Sequence, residues 1–529
     1  IVGGQWVHED QEQIAHALNL PLDRIRVIYP YIGGAFGGRE DMSVQIILAL
    51  AVKKLHEMGI DRPVRIVWGR EESIIGHHKR HAYYLKAKWG ADAEGKILAA
   101  QNWVYADGGA YAYTSTKVLG NATLLATGPY EIPNVSTDAY AVYTNNIPAG
   151  AFRGFGGPQA IFMAEMQVDA LAEALQIDPI EFRMRNLFKE GSLQSMGQPI
   201  PKGVSIREVV RRCALKAGWQ ETPSGWQRPE IVPSEDEHIQ RGLGFACGYK
   251  NIGFSYGAPE NCGATIVLYG DEEIEKAQLY HAGAEVGQGS HTVFAQFTAE
   301  ALGLPVEKVE LRLSDTATSR NSGSVSASRM TFMSGNAISG AAQQALERWQ
   351  AGDRPAVGDF VYRPPATSPM DKVDGHCYPN FAYGYVAEAV LAEVNTQTGE
   401  VRLKDVICAD DVGKAINPSL VEGQIEGGVV QAAGYTLMEN FITQKGKTLT
   451  KELSTYLIPT SADIPEHVES LILEYPDPIG PHGARGMGEM PYLPFVPAVI
   501  DAVYQAIGIR FNTFPLTAEA VLRGLGKIN

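Results

Sequence analysis

Glu489 ends the run Gly483-Ala484-Arg485-Gly486-Met487-Gly488-Glu489, just ahead of an apolar helical stretch. A carboxylate shielded from water there is suited to taking a proton; on an open helix N-terminus it would only be a favourable end charge. Three more glycine loops stand out: Gly33-Gly34-Ala35-Phe36-Gly37-Gly38, Arg153-Gly154-Phe155-Gly156-Gly157 and Gly287-Gln288-Gly289-Ser290. Glycine lets a backbone approach a ligand closely, and the helices expected after Pro158 and Ser290 have N-termini suited to an anion. No loop has the strand–turn–helix dinucleotide fingerprint, and no Gly-Lys-Ser/Thr follows one, so an ordinary Rossmann site and a P-loop are both unsupported. Phe155, Phe254 and Tyr256 are either a stacking platform for a flat ligand or plugs of the core. His77-His78-Lys79-Arg80-His81 reads as a solvated basic turn rather than a metal site.

The elements that hold these loops are written twice. Gly3-Gly4-Gln5 followed by IAHALNLPLDRIRVI matches Gly287-Gln288-Gly289 followed by FTAEALGLPVEKVELRL, with Pro21 against Pro305. Each copy predicts a helix, a short Pro turn and a strand. The Arg153 loop and the helix through Asp169 align with the Arg485 loop and the helix through Asp501, and Gly95–Asp107 aligns with Gly399–Asp411. Three collinear pairs predict two similar halves, residues 1–218 and 241–529, joined by a linker over 219–240. Approximate two-fold packing would bring the Gln5 and Gln288 loops together, and likewise the Arg153 and Glu489 loops, with a ligand between them.

Composition narrows the partners. A net charge of −15 with no long basic run argues against nucleic acid, and no apolar stretch approaches the ~20 residues of a membrane span. Five cysteines, Cys213, Cys247, Cys262, Cys377 and Cys408, are scattered singly, which supports neither a disulfide framework nor an iron–sulfur or zinc site and suits a reducing, cytoplasmic setting. The opening Ile1-Val2-Gly3-Gly4 also begins an activated trypsin-like protease, but the Ala-Ala-His-Cys and Gly-Asp-Ser-Gly-Gly contexts of its catalytic residues are absent. Ile1 in place of Met leads to the expectation that an upstream segment was removed or belongs to another chain.

The segments GGAFGGRE (Gly33–Glu40), AFRGFGGPQ (Ala151–Gln159), EVGQGSHT (Glu285–Thr292), NSGSVSAS (Asn321–Ser328), GQIEGGVVQ (Gly423–Gln431) and GMGE (Gly486–Glu489) resemble, in order, the cofactor-contacting segments of the large subunit of the xanthine dehydrogenase and aldehyde oxidoreductase family. The resemblance spans nearly the whole chain, without the usual N-terminal part of that subunit. It implies an α+β fold of two similar, elongated molybdopterin-binding halves with the cofactor between them, and a metal held by the pterin with no side-chain ligand. It further implies catalytic roles for Glu489 as general base, Gln5 toward the apical oxo ligand, and Arg153. Gly34, Phe36, Gly37, Phe152, Arg153, Gln288, Gly289, Ser324, Ser326, Gln424 and Gly488 are implied at the cofactor, and Glu40, Asn121, Phe155, Phe254 and Ser255 at the substrate.

The same resemblance implies molybdenum–molybdopterin as cofactor, in its cytosine dinucleotide form if the source is bacterial. Electrons would leave through a partner with [2Fe–2S] centres and a subunit carrying FAD, and another chain would supply the missing N-terminal part. Glu40 matches the purine-oxidising pattern, whereas Asn121 stands where that pattern has Arg. The reading is a hydroxylase that puts a water-derived oxygen on an electron-poor carbon of an N-heteroaromatic, purine-like ring. Aldehyde oxidation is the alternative, and a non-catalytic assembly subunit the third.

Overall fold

Alternating and continuous apolar runs build one unit three times: two antiparallel strands, a helix, and a third strand parallel to the second. A parallel return needs such a crossover. In chain order the elements are α1 (Val7–Leu18), α2 (Gln45–Glu57), α3 (Arg70–Gly76), β1 (Tyr83–Ala91), β2 (Ile97–Gly109), α4 (Ser115–Leu125), β3 (Asn134–Tyr143), α5 (Gly157–Ala174), α6 (Pro179–Asn186), α7 (Ile206–Lys216), β4 (Gln220–Thr222), β5 (Gly225–Gln227), β6 (Ile239–Asn251), β7 (Cys262–Tyr269), β8 (Lys276–His281), α8 (Ser290–Leu302), β9 (Val309–Leu313), α9 (Met330–Gln350), β10 (Ala356–Tyr362), β11 (Tyr383–Asn395), β12 (Val401–Asp411), α10 (Pro418–Leu437), β13 (His467–Leu473) and α11 (Phe495–Ile507). The structure is a computed structural model describing residues 1–529.

The units are β1-β2-α4-β3, β7-β8-α8-β9 and β11-β12-α10-β13. The second gains β10 beside β7, and the third gains β6 beside β11. The repeats expected from sequence are visible in this frame. Pro21 and Pro305 each precede a single 3-10 turn, Leu22–Arg24 and Val306–Lys308. The two copies then meet: Ile28 bridges Asp315, Tyr29 N donates to Ser314 O at 3.0 Å and Thr316 N to Val27 O at 3.1 Å. β2 and β12 are equivalent strands, entered through Gly95 and Gly399, both at positive φ.

The cores cross the sequence repeat. α1 buries Val7, Ile14 and Leu18 with β7, β8 and α9, whereas α5, α6 and α7 pack with β6 and β11. The polar stretch after α7 is partly folded in: β4 and β5 form a hairpin, with Trp219 and Trp226 buried. A buried ionic cluster ties α5 and α6 to β6. Arg183 donates to Glu165 Oε2 at 2.8 Å, Asp169 Oδ1 at 2.8 Å and Phe245 O at 3.1 Å, and Cys247 N donates to Glu165 Oε2 at 2.8 Å. Asp501, the sequence counterpart of Asp169, accepts from Phe245 N at 3.2 Å on the same strand.

Candidate active site

The glycine loops converge because several can stand only where glycine is. A Cβ on Gly486 would lie 1.4 Å from Ser328 O, so this loop is pressed against the 326–328 segment. Gly156, at φ +84, caps α5 and brings its backbone close to Val118 O. Between the loops lies a cavity of about 1080 Å³. Gln5, Gly34, Phe36, Gly37, Glu40, Asn121, Phe152, Arg153, Phe155, Phe254, Ser255, Gln288, Ser326, Gln424, Gly488 and Glu489 all line it. Gly289 and Ser324 stand just behind the wall: Gly289 caps α8 against Leu420, and Ser324 Oγ donates to Glu40 Oε1 at 3.2 Å.

Glu489 follows the Gly486 turn, with a 3-10 turn, Met490–Tyr492, between it and α11. Its Oε1 accepts from Gly154 N at 3.0 Å. Its Oε2 accepts from Ser328 Oγ at 3.1 Å and lies 3.2 Å from Lys250 Nζ. Glu489 is therefore a carboxylate beside a buried ammonium rather than one alone among apolar groups. The loop carrying Gly154 is fixed by Arg153, whose Nε donates to Gly488 O at 2.6 Å and Nη2 to Gln424 O at 3.1 Å. Burial holds the Arg153 guanidinium below its ordinary value, at about 10, against the pull of Glu489.

The basic turn is not solvated. His78 and His81 are buried, with His78 Nε2 3.0 Å from Ala151 O and His81 Nε2 2.9 Å from Ser115 Oγ. Arg80 lies against the rings of Phe152, Tyr435 and Tyr492 and donates to Arg153 O at 2.7 Å. Aromatic faces and a carbonyl replace the water that a run of cations ordinarily needs. Burial pushes both imidazoles down to about 4, so they are neutral at physiological pH.

Gln5 is buried, with Oε1 accepting from Gly37 N and Arg39 N, both at 3.1 Å, and Nε2 donating to Val325 O at 2.6 Å. An amide nitrogen carries two hydrogens, so one stays available toward the cavity. Gln288 is spent bracing its own turn: Oε1 accepts from Val286 N at 2.7 Å, while Nε2 donates to Ala284 O and Ser290 Oγ. Ser255 Oγ accepts from Asn251 Nδ2 at 3.0 Å and Asn380 Nδ2 at 2.9 Å. Tyr256, read as a platform or a plug, lines the cavity while its hydroxyl donates to Gly120 O at 2.9 Å.

Burial and the neighbouring Asp41 push the Glu40 carboxyl up to about 7, although the Ser324 hydroxyl pulls it down. Its unfolded value lies near 4.5, so the folded state loses stability as pH rises from about 4.5 to 7, and the deficit persists above that. Glu40→Gln is therefore expected to leave stability nearly unchanged at pH 5 and raise it by on the order of 2 kcal/mol at pH 8.5. Denaturant midpoints at the two pH values check this.

Lys250, Ser328 and Arg80 did not emerge as site residues from sequence. The available signal for Lys250 was one ammonium directly after the run Gly242–Tyr249 of β6, where it is 1% exposed. Orphaned polar atoms mark what the wall is made to receive: Ser326 Oγ and Asn121 Oδ1 are buried on it without a partner. Gly33, Gly423 and Gly427 also line the cavity, and a Cβ on any of them would meet nothing within 4 Å. Such a bare, donor-bearing cradle fits a large polar cofactor.

The molybdopterin cofactor-binding domain profile matches residues 1–187 and, in its second form, 216–356 and 349–465. The chain is 31% identical over 99% of its length to a probable xanthine dehydrogenase component of Bacillus subtilis. The chain belongs to the xanthine dehydrogenase and aldehyde oxidoreductase family. Other members similar to it include the putative xanthine dehydrogenase molybdenum-binding subunit of Escherichia coli, at 28% identity over 97% of the chain. The solved aldehyde oxidoreductase from Desulfovibrio gigas superposes with a TM-score of 0.89 at 26% identity, covering 99% of this chain. The chain spans 72% of the Bacillus protein, 71% of the Escherichia protein and 57% of the solved one. The family's two molybdopterin-binding halves account for the duplicated loops, and its members are molybdenum oxidoreductases. No helix is long and apolar enough to cross a membrane.

Proposed function

We propose that this chain is the molybdenum-binding subunit of a hydroxylase placing a water-derived oxygen on an electron-poor carbon of an N-heteroaromatic, purine-like ring. The observation that carries it is the single cavity joining Gln5, Arg153, Gln424 and Glu489. The two halves, residues 1–218 and 241–529 about the 219–240 stretch, belong to the same reading. So do a cytosine dinucleotide form of the cofactor, a [2Fe–2S] partner, a flavin subunit and a cytoplasmic setting.

When bound, the molybdenum centre supplies oxygen-atom transfer and takes up the electron pair. The chain supplies the rest. Gln5 and Arg153 stand at the wall to hold the cofactor, with Gly34, Phe36, Gly37, Phe152, Ser326, Gln424 and Gly488 shaping its cradle and Gln288, Gly289 and Ser324 supporting it from their turns. Glu489 takes and returns a proton at its cavity-facing carboxylate, while Gly154 N, Ser328 and Lys250 fix its direction. Phe155 and Phe254 present ring faces to a planar substrate. Glu40, half protonated near neutrality, offers both a donor and an acceptor to a ring nitrogen and its neighbour, and Asn121 and Ser255 add polar contacts.

Replacing Lys250 by Met removes the ammonium that lies 3.2 Å from Glu489 Oε2 and helps fix its direction. Steady-state kinetics are then expected to show kcat/KM lowered by roughly tenfold, a misplaced catalytic group costing on the order of that or more. The proposal is tested with purines, pyridines and aldehydes on the metal-loaded complex with an artificial electron acceptor. Preference for the heterocycles supports it. Asn121 in place of Arg favours aldehyde oxidation as the second reading, and oxidation of aldehydes alone would establish that instead.

A further inference from the structure

Ser255 lies just beyond the end of β6 and lines the cavity beside Phe254 and Tyr256. Its backbone is held from several sides: Ile252 N donates to Ala382 O at 3.0 Å, Tyr256 N to Pro379 O at 3.0 Å, and Phe254 N to Glu260 Oε2 at 2.9 Å. Glu260 is in turn the ion-pair partner of the fully buried Arg329. The hydroxyl therefore sits on a fixed turn, and what it can recognise depends on where its one hydrogen points.

Two buried asparagines, Asn251 at 4% and Asn380 at 0% exposure, decide that. Asn380 Oδ1 accepts from Phe381 N at 2.7 Å and Ala382 N at 3.2 Å, so its amide nitrogen faces the other way and donates to Ser255 Oγ at 2.9 Å. Asn251 Oδ1 accepts from Lys250 Nζ at 2.7 Å, so its Nδ2 donates to Gly253 O at 3.2 Å and to Ser255 Oγ at 3.0 Å. Neither amide can flip without setting one donor against another. A hydroxyl oxygen has two lone pairs, and here both are filled. The Ser255 hydrogen is left to donate, no acceptor of the chain takes it, and the open side is the cavity.

We propose that Asn251 and Asn380 are positioning residues that make Ser255 an obligate hydrogen-bond donor to the substrate, selecting molecules that present a lone pair there, such as a ring carbonyl oxygen or a pyridine-type nitrogen, over those that present an N–H. The inference rests on the reading of the cavity as the substrate site. An N–H turned toward Ser255 would oppose two donors where the bound ring excludes water, and an unpaired polar group is costly there. Lys250 stands at the head of both arrangements. Its ammonium lies 3.2 Å from Glu489 Oε2 and also pins the Asn251 amide, so one buried cation orients the base and the recognition hydroxyl together.

Steady-state kinetics of the metal-loaded complex test this, with the best heterocycle among purines and pyridines, or the best aldehyde if no heterocycle reacts. Ser255→Ala deletes the donor and is expected to raise KM about tenfold with kcat within about threefold, as for a lost hydrogen bond to bound substrate. Asn380→Asp keeps the shape and the acceptor for Phe381 N and Ala382 N, but it offers Ser255 a carboxylate oxygen, so the hydroxyl turns away from the cavity. The same rise in KM is expected, and the double variant is expected to be no worse than either single one. Asn251→Asp, whose charge faces Lys250, repeats the test if Asn380→Asp folds poorly, with unfolding midpoint and molybdenum content measured for each variant. Unchanged KM in Ser255→Ala, or losses that multiply in the double variant, would overturn the proposal. The expected pattern in an enzyme that oxidises aldehydes alone would sink the heterocycle reading and leave the obligate donor standing.

Discussion

Glu489→Gln is expected to lower kcat by about a thousandfold or more while molybdenum stays near one atom per chain. General base catalysis contributes on the order of 10²–10⁴-fold, and the amide cannot take the proton. The substitution preserves size and the acceptor for Gly154 N, which lies 3.0 Å from Oε1. It does place an uncharged group beside Lys250, so Lys250→Met in the same chain serves as a control: if charge imbalance rather than the lost base caused the defect, the double variant would recover activity. Steady-state kinetics with elemental analysis decide the matter. More than a tenth of wild-type turnover in fully metallated Glu489→Gln would remove the residue from its proposed role.

The second large effect concerns stability. Arg183 is fully buried and is the cation facing Glu165 and Asp169, each at 2.8 Å. Breaking a buried ionic cluster by removing one partner leaves uncompensated charge, a cost of about 3–5 kcal/mol. Arg183→Met is expected to destabilise the chain by that amount. Adding Glu165→Gln and Asp169→Asn should restore much of the loss, since the three groups act as one. Denaturant unfolding measures both, and strictly additive losses would mean that the cluster is not a unit.

Much of this arrangement was legible in the residues. The Pro21 and Pro305 turns, the paired strands β2 and β12 and the glycine loops are local: dihedral demands and apolar period are written at the positions that need them. The meeting of Arg153 with Gly488 could be anticipated because the repeat places their loops in equivalent positions. Lys250 was opaque for the opposite reason. Its neighbour Glu489 is distant in sequence, and a lysine directly after the run Gly242–Tyr249 gives no sign of which carboxylate will face it. The histidine turn misled because composition reports charge, whereas the aromatic surroundings of Arg80 are assembled from three separate segments. The stretch after α7 looked like a tether because it is polar, yet two tryptophans pin it to the core.

The largest core mixes α5, α6 and α7 with Leu243, Phe245, Tyr249, Tyr383 and Tyr385. During synthesis, then, residues 1–218 leave the ribosome with much of that interior still unmade, and they must wait for later strands before they can settle. Glu489 follows the other loops of the chamber in sequence, so the chamber gains its last wall only once residues 485–489 have been made. Loading of a metallopterin is thereby set as a step that follows synthesis of that last loop.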